Sequence, residues 1–336
     1  MAATVVCSSG NVEVVCQSVP VTSAKKAPVC VLGTGLIGGS LLRAAVATGY
    51  GSWGYNRSAV GAQAARADGF DVTEDLPAAL RRAAETDALV VIAVPMPAVD
   101  HMLSAIADYA PECAITDVVS VKGPVAAAVR KHGLAQRYVG GHPMAGTSES
   151  GWAATDPALF RDAVWAVGVD QGTRVDPWTR VVRLALDCGS VVVPVVAAEH
   201  DRAVARISHL PHVLAEALAV AGAAGGDLAL GLAAGSFRDG TRVAGTAPDL
   251  VRAICEPNAA ALLEVLDETL TVLGAARDSL RDKQSLADLV EAGHDARQRY
   301  ESARRWEITD IRPGDCDWLE ELRAAGERGG VLTRLN

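Results

Sequence analysis

A short apolar run, Val29–Leu32, ends directly in Gly33-Thr-Gly35-Leu-Ile-Gly38-Gly39 and continues in helix-forming residues over 40–48. Glycines at this spacing demand a strand before them and a helix behind. The first permits a tight turn, the second lets backbone amides approach a ligand, and the third allows helix and strand to pack closely. The helix N-terminus adds partial positive charge. Gly33, Gly35, Leu36, Ile37 and Gly38 are therefore read as a seat for the pyrophosphate of a dinucleotide.

The chain beyond this turn keeps the same style. Apolar runs at 51–55, 88–94, 114–118, 138–141, 163–169 and Val191–Val195 alternate with helical stretches at 59–68, 76–84, 98–109 and 124–132. The run 88–94 is continuously apolar, as a central parallel strand buried on both faces should be. It ends at Val94-Pro95, which also borders the expected cofactor site. Alternation of this kind predicts a Rossmann-type, doubly wound parallel sheet.

After residue 195 the strand signals stop. The stretches 199–224, 227–233, Pro248–Cys255, Ala259–Lys283 and 286–306 read as helices. Pro211 predicts a kink in the first of them. The fold class expected is α/β, with the sheet followed by an all-helical domain. The boundaries expected are a loose tail over 1–26 with a short strand near 12–15, the Rossmann domain over 27–196, the helical domain over 197–310, and a C-terminal tail over 311–336.

Composition narrows the functional classes. Half of the 336 residues are hydrophobic, which allows a sizeable core, and the net charge is −9 with no long basic run. That balance argues against nucleic acid, whose phosphates need Lys and Arg partners. No apolar stretch reaches the roughly 18 residues of a membrane span, and the N-terminus lacks a signal-peptide pattern. The seven cysteines form no C-x-x-C pair and read as reduced thiols, so a cytoplasmic location is expected.

The end of the second strand bears on the cofactor. Enzymes that use NAD usually place Asp or Glu there for the ribose hydroxyls. Here the residues are Asn56-Arg57-Ser58. Asn56 has no charge to oppose a 2′-phosphate, and Arg57 and Ser58 could bind one. The alternative is Arg57 stacked on adenine with Asn56 on the ribose. The reading is NAD(P), with a slight lean to NADP.

Three segments carry candidate chemistry. Asp117-Val-Val-Ser120-Val-Lys122 and Gly140-Gly-His142-Pro-Met-Ala-Gly146-Thr147 each follow a strand, where open α/β sheets bind ligands. His142 lies in what reads as a glycine-rich turn and is the candidate general base, since an imidazole titrates near neutrality. His200, His209 and His212 fall within 13 residues. They carry no zinc-type ligand pattern, so no metal is expected. Arg238 and Arg242 lie in a small-residue turn, and either could grip a carboxylate.

Taken together, GTGLIGGS, DVVSVK, GGHPMAGT, EHD, SHLPH and FRDGTR resemble the prephenate/arogenate dehydrogenase family of tyrosine biosynthesis, actinobacterial members most of all. The resemblance implies oxidative decarboxylation of prephenate to 4-hydroxyphenylpyruvate, with hydride passing to NAD(P). It implies His142 as base, Ser120 as the hydroxyl orienting the substrate alcohol near the nicotinamide, and Arg242 as the carboxylate binder. His200, His212, Ser208, Gly235 and Thr147 are assigned to substrate binding on the same basis. It also implies a homodimer built through the helical domain.

Two positions depart from the family. Asn56 replaces the acidic ribose binder, and Ser148 is neutral where some relatives are acidic. Arogenate, or an amino-deoxyprephenate of a specialised pathway, is the alternative substrate. Glu149 or Asp239 could then pair with the amine. A β-hydroxyacid-type dehydrogenase would need a lysine base in the helical half, where SHLPH offers histidines.

Overall fold

The computed structural model describes residues 4–9, 12–17, 26–147 and 149–335. Ser148 lies outside them. Two compact units result: residues 1–200 with 306–336, and residues 201–305.

In the first unit, β1 (Thr4–Ser9) and β2 (Val12–Gln17) pair antiparallel inside the segment expected as a loose tail. The central elements come next in order: β3 (Val29–Leu32), α1 (Leu36–Ala47), β4 (Ser52–Tyr55), α2 (Ala59–Ala67), β5 (Val72–Thr73), α3 (Leu76–Thr86), β6 (Leu89–Ile92), α4 (Met96–Tyr109), β7 (Ile115–Asp117), α5 (Gly123–Lys131) and β8 (Tyr138–Val139). Six parallel strands stand in the order β5-β4-β3-β6-β7-β8. This is the doubly wound Rossmann order, with its switch point between β3 and β6.

The apolar runs are continuous because both faces are covered. Val29 and Val31 enter one core cluster, and Cys30 and Leu32 enter the other, as the two-residue strand period requires. β6 repeats this, with Leu89 and Val91 opposite Val90 and Ile92. Helix starts are set locally: Ser58 and Asp75 accept from Gly61 and Ala78 amides as N-caps of α2 and α3.

The sequence predicts one strand over 138–141, whereas the chain changes sheets there. β8 ends at Val139, and β9 (Gly141–Pro143) joins a second sheet with β10 (Val164–Gly168) and β11 (Val191–Val195), in the order β11-β10-β9. β9 runs antiparallel to β10, and β10 parallel to β11. α6 (Val175–Asp187) connects the last two strands, and α7 (Ala197–Val204) leaves β11.

The second unit is helical: α8 (Leu210–Ala223), α9 (Gly226–Gly231), α10 (Gly235–Thr241), α11 (Pro248–Cys255), α12 (Ala259–Lys283) and α13 (Ala287–Ser302). The interruption expected at Pro211 comes earlier, as a π turn over Ala205–His209, and Pro211 sits in the first turn of α8. The helical run is unbroken through both, and the widened π turn just before Pro211 is where the ladder is interrupted.

Residues 311–336 were expected as a tail, yet they build part of the first unit. β12 (Trp306–Glu307) pairs with β13 (Gly330–Val331) around α14 (Trp318–Glu327). Leu332 exchanges both backbone bonds with Val192, extending the edge of the second sheet. Trp318 meets Trp178 edge to face at 5.2 Å, and Leu322 and Leu332 are buried. The pattern Trp318, Leu322, Ala325 is a helical apolar stripe. Cys30, Cys113, Cys188 and Cys255 are free and buried, whereas Cys316 is disulfide-bonded, a correction to the reading of all seven as reduced.

Candidate active site

The glycine turn is built as its spacing demands. Gly33 adopts φ +105°, and a Cβ there would stand 2.5 Å from the Ala93 carbonyl oxygen. A Cβ on Gly38 would stand 1.9 Å from the Gly33 oxygen. Nothing lies within 4 Å of a Cβ on Gly35, so the backbone is open to a ligand at the start of α1. Gly35 is the N-cap and has no side chain to occupy the first helical amides. Those amides and the open space fit a dinucleotide pyrophosphate. Val94 packs beside Gly33, and Pro95 is the N-cap of α4.

At the end of β4, Asn56 donates from Nδ2 to Thr34 Oγ1 at 2.8 Å and accepts from the Ser58 amide at 2.9 Å. The asparagine thus ties the end of β4 to the glycine turn. Ser58 uses its hydroxyl to cap α2, while Arg57 is exposed. A groove of about 910 Å³ opens beside them, lined by Tyr55, Thr73, Asp75, Pro77, His101 and Tyr109 among others.

His142 does not lie in a turn. It is the middle residue of β9, opposite Ala166 of β10. The two glycines before it carry the chain from one sheet to the next. Its Nδ1 stands 2.9 Å from Nε2 of His200, which is buried in α7. The rings meet edge to face with centroids 5.1 Å apart. Asp170 accepts from the Ala197 amide at 3.0 Å and so caps the helix that carries His200.

Ser120 is partly buried in the loop after β7. Beneath this loop Asp117 and Lys122, singled out in sequence only as part of a candidate segment, form a polar cluster whose pairing the sequence reading did not assign. Asp117 is fully buried and accepts from the Val119 amide (2.8 Å), Tyr138 Oη (2.6 Å), the Gly141 amide (3.4 Å) and Lys122 Nζ. Lys122, also buried, donates in addition to the Gly141 carbonyl at 2.6 Å. The signal available was a carboxylate closing an apolar strand, with a lysine five residues on.

Thr147 is exposed, and its hydroxyl accepts from the Glu149 amide. The chain beyond it is fastened to α1 and α2. Trp152 Nε1 donates to Asp68 at 2.9 Å, Arg43 Nε donates to Thr155 at 2.7 Å, and the guanidinium stacks 4.3 Å from the Trp152 ring. The Trp152 and Arg43 bonds hold the Asp68 carboxyl below the usual carboxylate range.

The other assigned residues belong to the helical unit. Ser208 is partly buried in the π turn, and His209 is tied to Asn258, whose Nδ2 lies 3.1 Å from its Nδ1. His212 on α8 has a buried Nδ1 without a hydrogen-bond partner among the described residues. Gly235 opens α10, and Arg242 stands just after it, exposed in the single chain. Among the described residues no group of three His, Cys, Asp or Glu could hold a metal ion, and no helix could cross a membrane.

Comparison with known proteins matches residues 47–194 to the nucleotide-binding domain of prephenate dehydrogenase and residues 196–292 to its dimerization domain. The chain is 32% identical to a cyclohexadienyl dehydrogenase of Zymomonas mobilis over 262 residues, 75% of this chain and 88% of that one. It is 31% identical to the prephenate dehydrogenase of Bacillus subtilis over 259 residues, 75% and 70% of the two chains. A crystal structure from Corynebacterium glutamicum, provisionally described as a prephenate dehydrogenase, is 48% identical with a TM-score of 0.87, covering 91% of this chain and 98% of that one. With a Rossmann sheet, a helical second unit and both halves matched, the chain belongs to the prephenate dehydrogenase family.

Proposed function

We propose that His142 is the general base of a nicotinamide-dependent prephenate dehydrogenase, and that the observation carrying this role is its hydrogen bond to His200. A base needs a third group to fix its tautomer and orientation. When His142 donates from Nδ1 to His200 Nε2, its own Nε2 is the nitrogen that takes a proton. Family membership supports the substrate, and the open glycine turn supports the cofactor site.

A bound nicotinamide supplies the hydride acceptor. His142 takes the proton of the prephenate ring hydroxyl while Ser120 orients that hydroxyl. The carbon–carboxylate bond then releases carbon dioxide, and its electron pair aromatises the ring. Arg242 grips a substrate carboxylate with a forked pair of bonds. His212, Ser208, Gly235 and Thr147 complete the substrate contacts. On this reading His200 acts through His142 rather than on the substrate.

Gly33, Gly35, Leu36, Ile37 and Gly38 hold the pyrophosphate, with Val94, Pro95 and Ser120 bordering the nicotinamide. Asn56 leaves the ribose pocket uncharged, and exposed Arg57 offers a cation to a 2′-phosphate. These favour NADP slightly, with NAD use compatible.

The protein functions as a cytoplasmic homodimer joined through its helical unit. That unit leaves Leu228, Leu232, Val220 and Ile207 between 68% and 76% exposed in the single chain. Apolar exposure on that scale suits an interface. Light scattering behind size exclusion tests the dimer, and a monomer at working concentration refutes it.

The deciding assay combines prephenate or arogenate with NAD or NADP and follows absorbance of the reduced nicotinamide. Reduction with prephenate and formation of 4-hydroxyphenylpyruvate are expected. Reduction with arogenate alone would replace prephenate as the substrate.

A further inference from the structure

We propose that Lys122, together with Asp117 and Tyr138, is a positioning device that holds Ser120 and His142 in register. The inference rests on His142 being the base. Ser120 and His142 lie on different segments of chain, one in the loop after β7 of the first sheet and one in β9 of the second. Both segments are bonded to the same buried ion pair.

Asp117 reaches three places. Oδ1 takes the Val119 amide and Lys122, which bracket Ser120 in sequence. Oδ2 takes the Tyr138 hydroxyl at the end of the first sheet and the Gly141 amide at the start of β9. Lys122 closes the figure by donating to the Gly141 carbonyl. The residue before His142 is therefore held through both its amide and its carbonyl.

The two glycines make this possible. A Cβ on Gly140 would lie 3.1 Å from Tyr138 Oη and 3.2 Å from Lys122 Cδ. A Cβ on Gly141 would lie 2.7 Å from the Asp117 carbonyl oxygen. The pair admits the lysine stem and the tyrosine, and lets β9 approach β7. Burying an ion pair is weak evidence for stability, because desolvation offsets the attraction. Here the pair joins the two segments on which the base and the orienting hydroxyl sit, where small displacements are costly.

The test is a cycle of Lys122→Met and Tyr138→Phe, each in the wild-type and the His142→Asn background, read as the single-turnover rate of hydride transfer with saturating substrates. Lys122→Met is expected to slow transfer about 10- to 100-fold in the wild-type background, as a misplaced catalytic group does. Tyr138→Phe should slow it by less. In the His142→Asn background both losses should shrink to within about twofold, because the register of Ser120 with His142 has no value once the base is gone and effects within one catalytic unit are not additive. Equal losses in both backgrounds, or no loss in either, would overturn the proposal. Should Lys122→Met fail to fold, Tyr138→Phe decides by the same comparison. A His142→Asn enzyme with full activity would instead sink the base assignment, a distinguishable result.

Discussion

Nδ1 of His142 and Nε2 of His200 stand 2.9 Å apart, joining the middle of β9 to the helix that leaves β11. Nothing in their sequence separation requires this. β9 and β11 flank β10 in the three-stranded sheet, and the short link from β11 into α7 brings His200 to His142.

Removing the base should cost turnover and spare binding. His142→Asn is expected to lower kcat by about 100- to 10,000-fold, the range for a lost general base. Calorimetric titration should find prephenate affinity retained. His200→Gln, which can still accept from Nδ1, should keep more activity than His200→Ala. Equal activity in the two His200 variants would contradict the orienting role.

On the proposed reading, cofactor choice turns on one exposed cation, Arg57. Arg57→Ala should weaken NADP relative to NAD, by roughly tenfold if one phosphate contact of about 1.5 kcal/mol is lost. The ratio of kcat/KM for the two cofactors measures it. An unchanged ratio would remove Arg57 from the cofactor site.

Gly38→Ala should abolish the cofactor turn. Its methyl would stand 1.9 Å from the Gly33 oxygen and 2.7 Å from Ala93 Cβ, with backbone on one side. Overpacking of this kind costs about 1–3 kcal/mol or more. Fluorescence titration with the reduced cofactor should show binding lost, and the thermal midpoint should fall. Gly35→Ala, which meets open space in the chain alone, should melt near wild type yet bind cofactor poorly.

Asp68 should give acid sensitivity to the segment after Thr147. Its carboxyl titrates below the ordinary value because Trp152 and Arg43 bond to it. The contribution is complete above the unfolded pKa, about 3.9, and is lost as pH falls through the lower folded value. Asp68→Asn should therefore destabilise the protein at neutral pH. The difference in denaturant midpoint from wild type should close in strong acid.

Burial pushes the Cys113 thiol up to about 11 and the Cys188 thiol up to about 12, and raises Cys30 further. Each is also closed to reagent. At pH 8 these three should resist a thiol-alkylating reagent in the native protein and react fully in guanidinium, as read by peptide mass spectrometry. Rapid native labelling at Cys188 would show that its packing at the end of α6 is open.

The sequence by itself determined the elements and the class of chemistry. Val29–Leu32 with Gly33, Gly35 and Gly38 encodes its own strand, turn and helix, because the glycine positions and the apolar period are local properties. The helices Pro248–Cys255 and Ala259–Lys283 were legible at their observed bounds for the same reason. Family membership was legible because its motifs are short and contiguous.

Only the tertiary structure decided which polar groups meet. That His142 sits mid-strand rather than in a turn depends on a sheet change at Gly140, which no two-residue period records. The reach of Asp117 to Tyr138 and Gly141 depends on strand order. So does the place of Trp318 and Leu332 in the core rather than in a tail. Periodicity specifies which face of an element is apolar, while the partner of a buried charge is set by which strands the fold makes neighbours.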